Sequence, residues 1–190
     1  SIAAYKIPEL IRSLVSSDYE INTILSKESE KFVTALTLSC LSGNEVLTDK
    51  SPESAQIQHL ALTRSADIFV IAPATANTIA KLAHGLADDL LSSSFLSFTG
   101  PKLIVPAMHT EMYDNPITQE NIQKLKQHGI QILGPITGEL ACKDHGMGRL
   151  IANDFIKLKI QSLLLETLTP THQRILITAG GTSEAIDSVR

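Results

Sequence analysis

The residues best suited to chemistry lie in four short stretches. In ELACKDHGMGRL, residues 139 to 150, Cys142 is followed at once by Lys143, Asp144 and His145. Gly146 and Gly148 interrupt any helix or strand there, so the stretch reads as a polar loop that turns its thiol to solvent or ligand. Cationic neighbours such as Lys143 and Arg149 favour a thiolate, and such a thiol on a loop is a candidate for reaction. The bland role of a cysteine is that of a small buried hydrophobe. In PATANT, 73 to 78, Pro73 and the small residues Ala74 to Ala76 open a loop where a flat ring can approach the backbone, with Asn77 and Thr78 as polar contacts. MHTEMYDNP, 108 to 116, sets Met108, His109 and Met112 directly after an apolar run. A methionine pair serves core packing more often than cofactor contact. The fourth stretch, IQHLALTRSAD from 57 to 67, puts His59 on a short amphipathic helix. A satisfied structural histidine is the commoner case, and acid–base work near neutral pH is the alternative. Ser26, at the end of a strand pattern, suits either a helix cap or a phosphate contact.

These stretches need a scaffold, and the composition permits one. The 190 residues are 43% hydrophobic and 19% charged, an ordinary globular balance with enough apolar material for a sizeable core. The net charge of -4, without a basic stripe, gives nucleic acid no electrostatic footprint. No apolar run approaches the roughly 18 residues needed to span a membrane, and no signal peptide opens the chain. Cys40 and Cys142 are too few for a disulfide framework and lack zinc-site spacing, so no metal is expected and a reducing cytoplasm is. Neither G-x-x-x-x-G-K nor G-x-G-x-x-G stands at a strand-to-helix turn.

Short apolar runs alternate with helical patterns throughout, which predicts an α/β fold: a Rossmann-like, flavodoxin-like parallel sheet with helices on both faces. Strands are expected at 20–25, 68–72 and 102–107, the last two ending at proline, with a weak one at 131–133. Ile7, Leu10, Ile11, Leu14 and Val15 share one face of the first helix, and Ile156, Ile160, Leu163 and Leu164 one face of the last. Further helices are expected near 29–39, 57–65, 77–83, 87–98 and 118–127. Both ends read as cut: residues 1–168 form one domain lacking its first strand, 169–173 (TPTHQ) a linker, and 174–190 the start of a second domain. Ligands of such a sheet bind at the carboxyl ends of its strands, where helix N-termini offer N–H groups to anions.

SIAAYK at 1 to 6, the helix bearing His59, PATANTIAK at 73 to 81, PAMHTEM at 106 to 112 and ACKDHGMGRL at 141 to 150 together resemble the homo-oligomeric flavin-containing cysteine decarboxylases. The nearest branch acts on 4'-phosphopantothenoylcysteine in coenzyme A biosynthesis. The tail ILITAGGTSEAIDSVR resembles the opening of phosphopantothenate-cysteine ligase, the activity that bacteria commonly fuse to this decarboxylase. The resemblance implies bound FMN, oxidation of the substrate's cysteine thiol toward a thioaldehyde, loss of CO2, and re-reduction of the enethiol to 4'-phosphopantetheine. It implies catalytic roles for His59 and Cys142, with Cys142 on a substrate clamp that donates a proton. FMN contacts are implied for Ser1, Ser26, Phe32, Ala72, Pro73, Ala74, Thr75, Ser92, Ser93 and Met108, and substrate contacts for Asn77, His109, Met112, Ala141 and Lys143. The family commonly has Asn where this chain has His109, and Gly where it has Lys143. A homotrimer or dodecamer with shared active sites, carrying the fused ligase domain, is implied as well. The competing reading is a flavin-binding regulatory subunit without decarboxylase activity.

Overall fold

The computed structural model describes residues 1–52, 61–166 and 174–179. Six parallel strands form the main sheet: β1 (Glu20–Leu25), β2 (Val46–Thr48), β3 (Ile68–Ala74), β4 (Lys102–Pro106), β5 (Gln131–Ile132) and β8 (Arg174–Ala179). Their order is β2-β1-β8-β3-β4-β5, while β6 (Ile136–Glu139) and β7 (His145–Arg149) pair as a separate antiparallel hairpin. The central strands are apolar without interruption because both their faces are covered. Ile21, Leu25, Val70 and Val105 face α1 (Ile7–Val15) and α7 (Asn153–Glu166), which cover them with Leu10, Leu14, Ile156 and Ile160. Ile24, Phe69, Ile71 and Ile104 face α3 (Ala76–Ala83), α4 (Leu90–Ser97) and α6 (Pro116–Gln127), through Ile79, Phe95 and Ile122. The fold is therefore the α/β, flavodoxin-like arrangement expected from the sequence.

Local chemistry moves several boundaries. The helix expected at 29–39 is a single 3-10 turn, Ser29–Lys31, followed by α2 (Ala35–Ser42), because the Thr34 hydroxyl accepts from the Thr37 N–H and starts a new helix there. The helix expected from 87 begins at Leu90, where Asp89 and Ser92 close a capping box. Strand β3 does not stop before Pro73 but runs to Ala74, with a register irregularity between Ile71 and Ala74 that accommodates a residue without an N–H. Of the helix expected at 57–65, only the helical residues 61–65 are described, so His59 lies outside the described residues.

The strand β8 comes from the last part of the described chain. Residues from 174 onward are expected to open a second domain; Arg174–Ala179 pairs with β1 on one side and β3 on the other. Ile175, Leu176 and Ile177 are fully buried, because an apolar run of this type satisfies both faces of a central strand. Residues 169–173 and 180–190 lie outside the described residues. Leu176→Ala is expected to lower the unfolding free energy in urea by about 2–5 kcal/mol, the usual cost of truncating a buried leucine. A change within experimental error would mean that this segment is not part of the sheet.

On either side of β8 the chain winds in opposite directions, through β1 to β2 and through β3 and β4 to β5. Crevices in open α/β sheets form at such reversals, at the carboxyl ends of the strands.

Candidate active site

A cavity of about 720 Å³ opens beside the carboxyl ends of β3 and β4. Its walls come from the 3-10 turn Ile2–Lys6 with Ser1, from Thr75 after β3, from Ala107 to His109 and Met112 after β4, and from both arms of the β6–β7 hairpin. Ser1, Thr75, Met108, His109, Met112, Ala141 and Cys142, scattered over the sequence, thus meet around one space. A second cavity of about 270 Å³ takes Ser26, Asn77 and Ser92 together with Lys81, Asp88 and Asp89. The loop after β3 serves both, Thr75 the first and Asn77 the second.

Other expected contacts fall elsewhere. Ala72, Pro73 and Ala74 are buried within β3, Phe32 is exposed, and neither Ser93 nor Lys143 lines either cavity. Ser93 donates instead to the Ala87 carbonyl. Ser92 is buried, and its hydroxyl donates to the Asp89 carboxylate at 2.6 Å, which makes it first of all a helix-capping residue.

The cysteine stretch is not an irregular loop. Gly146 and Gly148 sit inside strand β7, and Leu140 to Asp144 form the hairpin's turn, closed by Lys143 N–H to Leu140 O at 2.9 Å and Leu140 N–H to Asp144 O at 2.8 Å. The glycines permit close approach. A Cβ at Gly146 would lie 2.3 Å from Thr110 Oγ1, and one at Gly148 only 2.1 Å from the Met108 carbonyl oxygen. The Met108 N–H in turn donates to Gly148 O at 3.1 Å, so β7 is bonded directly to the segment that follows β4. Cys142 is exposed at the tip of this docked hairpin.

Lys143 adopts a left-handed backbone with φ 70°, the geometry in which such turns favour glycine. Its exposed side chain is therefore less consequential than its backbone. Lys143→Gly is expected to raise stability by roughly 0.5–1 kcal/mol, the left-handed strain relieved less the extra chain entropy of glycine. A lowered denaturation midpoint would contradict the turn geometry.

Electrostatically, the thiol's neighbour is a carboxylate and not the cations that the sequence suggests. Cys142 Sγ donates to Asp144 Oδ2 at 3.3 Å, and His109 Nε2 lies 3.2 Å from the same oxygen. Glu111 contacts His109 Nδ1 from the other side. The hydrogen bond to Asp144, with the nearby Glu111 charge, raises the imidazole's pKa above the ordinary histidine value. Bonds from Cys142 and His109 hold the Asp144 carboxyl below the usual carboxylate range. The thiol hydrogen is thus directed at the Asp144 carboxylate, within the same cluster as the His109 ring. The role of Asp144 is missed by sequence reasoning, although its place two residues after Cys142 is the available signal. Lys6 and Arg149 also line the cavity, and they supply positive charge where an anionic ligand would lie.

The cavity fits a ring-and-phosphate cofactor. Its volume lies within the roughly 300–1,000 Å³ of such sites. Ile2, Ala3, Met108 and Leu140 offer apolar surface, and Ser1, Thr75, Lys6 and Arg149 offer donors.

The profile of the family described as Flavoprotein matches residues 1–165. The coenzyme A biosynthesis bifunctional protein CoaBC of Haemophilus influenzae is 41% identical over 192 residues, which cover 100% of this chain and 48% of that protein. The chain thus spans about half the length of the bifunctional relatives it matches. A probable phosphopantothenoylcysteine decarboxylase of Streptococcus mutans is 43% identical over 168 residues, 86% of this chain and 94% of that protein. Among solved structures, a cysteine-to-serine mutant of PPC decarboxylase complexed with pantothenoylaminoethenethiol matches with a TM-score of 0.74 and 31% identity, covering 85% of this chain and 92% of that one. The FMN binding protein AtHal3 matches with a TM-score of 0.73 and 30% identity, covering 90% and 94%.

Proposed function

The chain belongs to the Flavoprotein family, and on that premise we propose that it catalyses the FMN-dependent decarboxylation of 4'-phosphopantothenoylcysteine to 4'-phosphopantetheine in coenzyme A biosynthesis. The observation that carries this reading is the cavity at the strand ends with the thiol-bearing hairpin docked over it. When bound, FMN supplies reversible two-electron chemistry toward the substrate thiol. Ser1, Thr75 and Met108 are its proposed contacts in the larger cavity, with Lys6 and Arg149 as further sources of charge for phosphate.

The chain's own groups then bind, orient and move protons. His109, held toward its cationic form by Asp144 and Glu111, receives the substrate carboxylate in place of the asparagine common in the family. Met112 and Ala141 bound the substrate, and Asn77 approaches it from the neighbouring cavity. Cys142 delivers the proton that completes the product, from a thiol already hydrogen bonded through Asp144 to His109. The solved relative complexed with an aminoethenethiol while lacking a cysteine supports a cysteine acting at the end of the sequence. His59 is proposed to assist deprotonation of the substrate thiol.

In this reading the chain is the decarboxylase part of a fused decarboxylase–ligase, as the bifunctional relatives' names suggest. It works in the cytoplasm; no described helix is long and apolar enough to cross a membrane. It assembles as a homotrimer or dodecamer. Phe155, Leu158 and Leu165, exposed along α7, offer apolar surface for such contacts.

The test is incubation of the FMN-loaded protein with 4'-phosphopantothenoylcysteine, followed by CO2 release and product mass. One CO2 lost per substrate is expected. Bound FMN without CO2 release would overturn the decarboxylase reading in favour of a non-catalytic flavin-binding protein.

A further inference from the structure

Hairpin docking brings His109 to two side chains of different donor chemistry in the hairpin's turn, Cys142 and Asp144. His109 Nε2, Cys142 Sγ and a carboxylate oxygen of Asp144 lie within 4.8 Å of one another. Two of the separations, 3.2 Å from Nε2 to Oδ2 and 3.3 Å from Sγ to Oδ2, are close to the edges of a tetrahedral metal site. Zinc bonds of about 2.0–2.1 Å to nitrogen or oxygen and about 2.3 Å to sulfur place ligand atoms roughly 3.3–3.5 Å apart. Glu111 contacts the other ring nitrogen of His109, the arrangement by which a carboxylate fixes a metal-binding histidine in the tautomer that leaves the opposite nitrogen free to coordinate. His109 and Cys142 also line the cavity, so a fourth position is open to water or ligand.

We propose that His109, Cys142 and Asp144 form a binding site for a borderline divalent cation of the zinc type. Nitrogen, thiolate and carboxylate together select such an ion over magnesium or calcium, which prefer oxygen throughout. On binding, the thiol and the His109 imidazolium release their protons to solvent, the Sγ–metal and Nε2–metal bonds form, and the hairpin tip is fastened to the segment after β4. The occupied site removes the thiol proton that turnover needs, so zinc is a reversible inhibitor; this consequence rests on the decarboxylase reading, whereas the binding site itself does not.

Cobalt(II) titration of the whole chain tests the site directly. One equivalent is expected to produce the near-ultraviolet thiolate-to-cobalt band, with zinc displacing it. Cys142→Ser should abolish the band, His109→Ala and Asp144→Asn should each weaken binding at least about tenfold, and Glu111→Gln by about 10–100-fold. Cys40→Ser should leave it unchanged. No band in the parent, or a band lost in Cys40→Ser and kept in Cys142→Ser, overturns the site. In parallel, zinc should suppress formation of 4'-phosphopantetheine and CO2 release beyond the first turnover, and a chelator restore both. Full turnover with zinc bound overturns the inhibitory role. A parent inactive without metal overturns the decarboxylase reading, while the cobalt band still decides the site.

Discussion

Cys142→Ser is expected to reduce formation of 4'-phosphopantetheine by about 10²–10⁴-fold, the usual contribution of a positioned general acid, while CO2 release from the first turnover persists. Cysteine thiols as a class ionise near pH ~8.5, whereas a serine hydroxyl is a far weaker acid and cannot give up its proton on the same terms. The substitution leaves the Met108 N–H to Gly148 O bond and the close glycine contacts of β7 untouched, so the hairpin remains docked. The expected result is therefore a chemical block in a folded protein, with an oxidised, decarboxylated species accumulating in the mass spectrum. Normal product at the parent's rate would remove Cys142 from the reaction. Loss of both CO2 and product, with an unchanged unfolding midpoint, would place the thiol before decarboxylation instead of after it.

The second large effect is expected from Gly148→Ala. Its added methyl would stand 2.1 Å from the Met108 carbonyl oxygen, a backbone atom, so no side-chain rotation relieves the clash. The backbone there, at φ 150°, lies in a region that side-chain-bearing residues rarely adopt. Relief requires β7 to move off the segment after β4, which breaks the Met108 N–H to Gly148 O bond and carries Cys142 away from His109. Misplacement by about an ångström can cost on the order of 10²-fold in rate, and a loss of at least that size in CO2-linked turnover is expected. The sheet and its core lie outside the contact, so the far-ultraviolet circular dichroism should be preserved. Parent-like turnover in Gly148→Ala would show that the hairpin need not dock this closely.

The sequence by itself determined the parallel α/β class. Ile68 to Ile71, Lys102 to Val105 and the heptad-like spacing of Ile7, Leu10, Ile11 and Leu14 are legible because burial on two faces or one stripe leaves a periodic apolar trace. It likewise singled out Cys142, His109, Met108 and Thr75, since reactive and small polar residues directly after apolar strands stand out against their surroundings. The hairpin was not legible, because glycines that permit contact with Met108 and Thr110 look in sequence like glycines that break a strand. Nor was the link from the thiol's carboxylate neighbour to His109. Only tertiary structure sets Asp144 between Cys142 and His109, because packing joins a turn to a segment more than thirty residues away and no local period records that contact. The position of Arg174–Ala179 between β1 and β3 was decided at the same level. An apolar strand announces that it will be buried, but which neighbours bury it depends on hydrogen-bond pairing across the whole sheet.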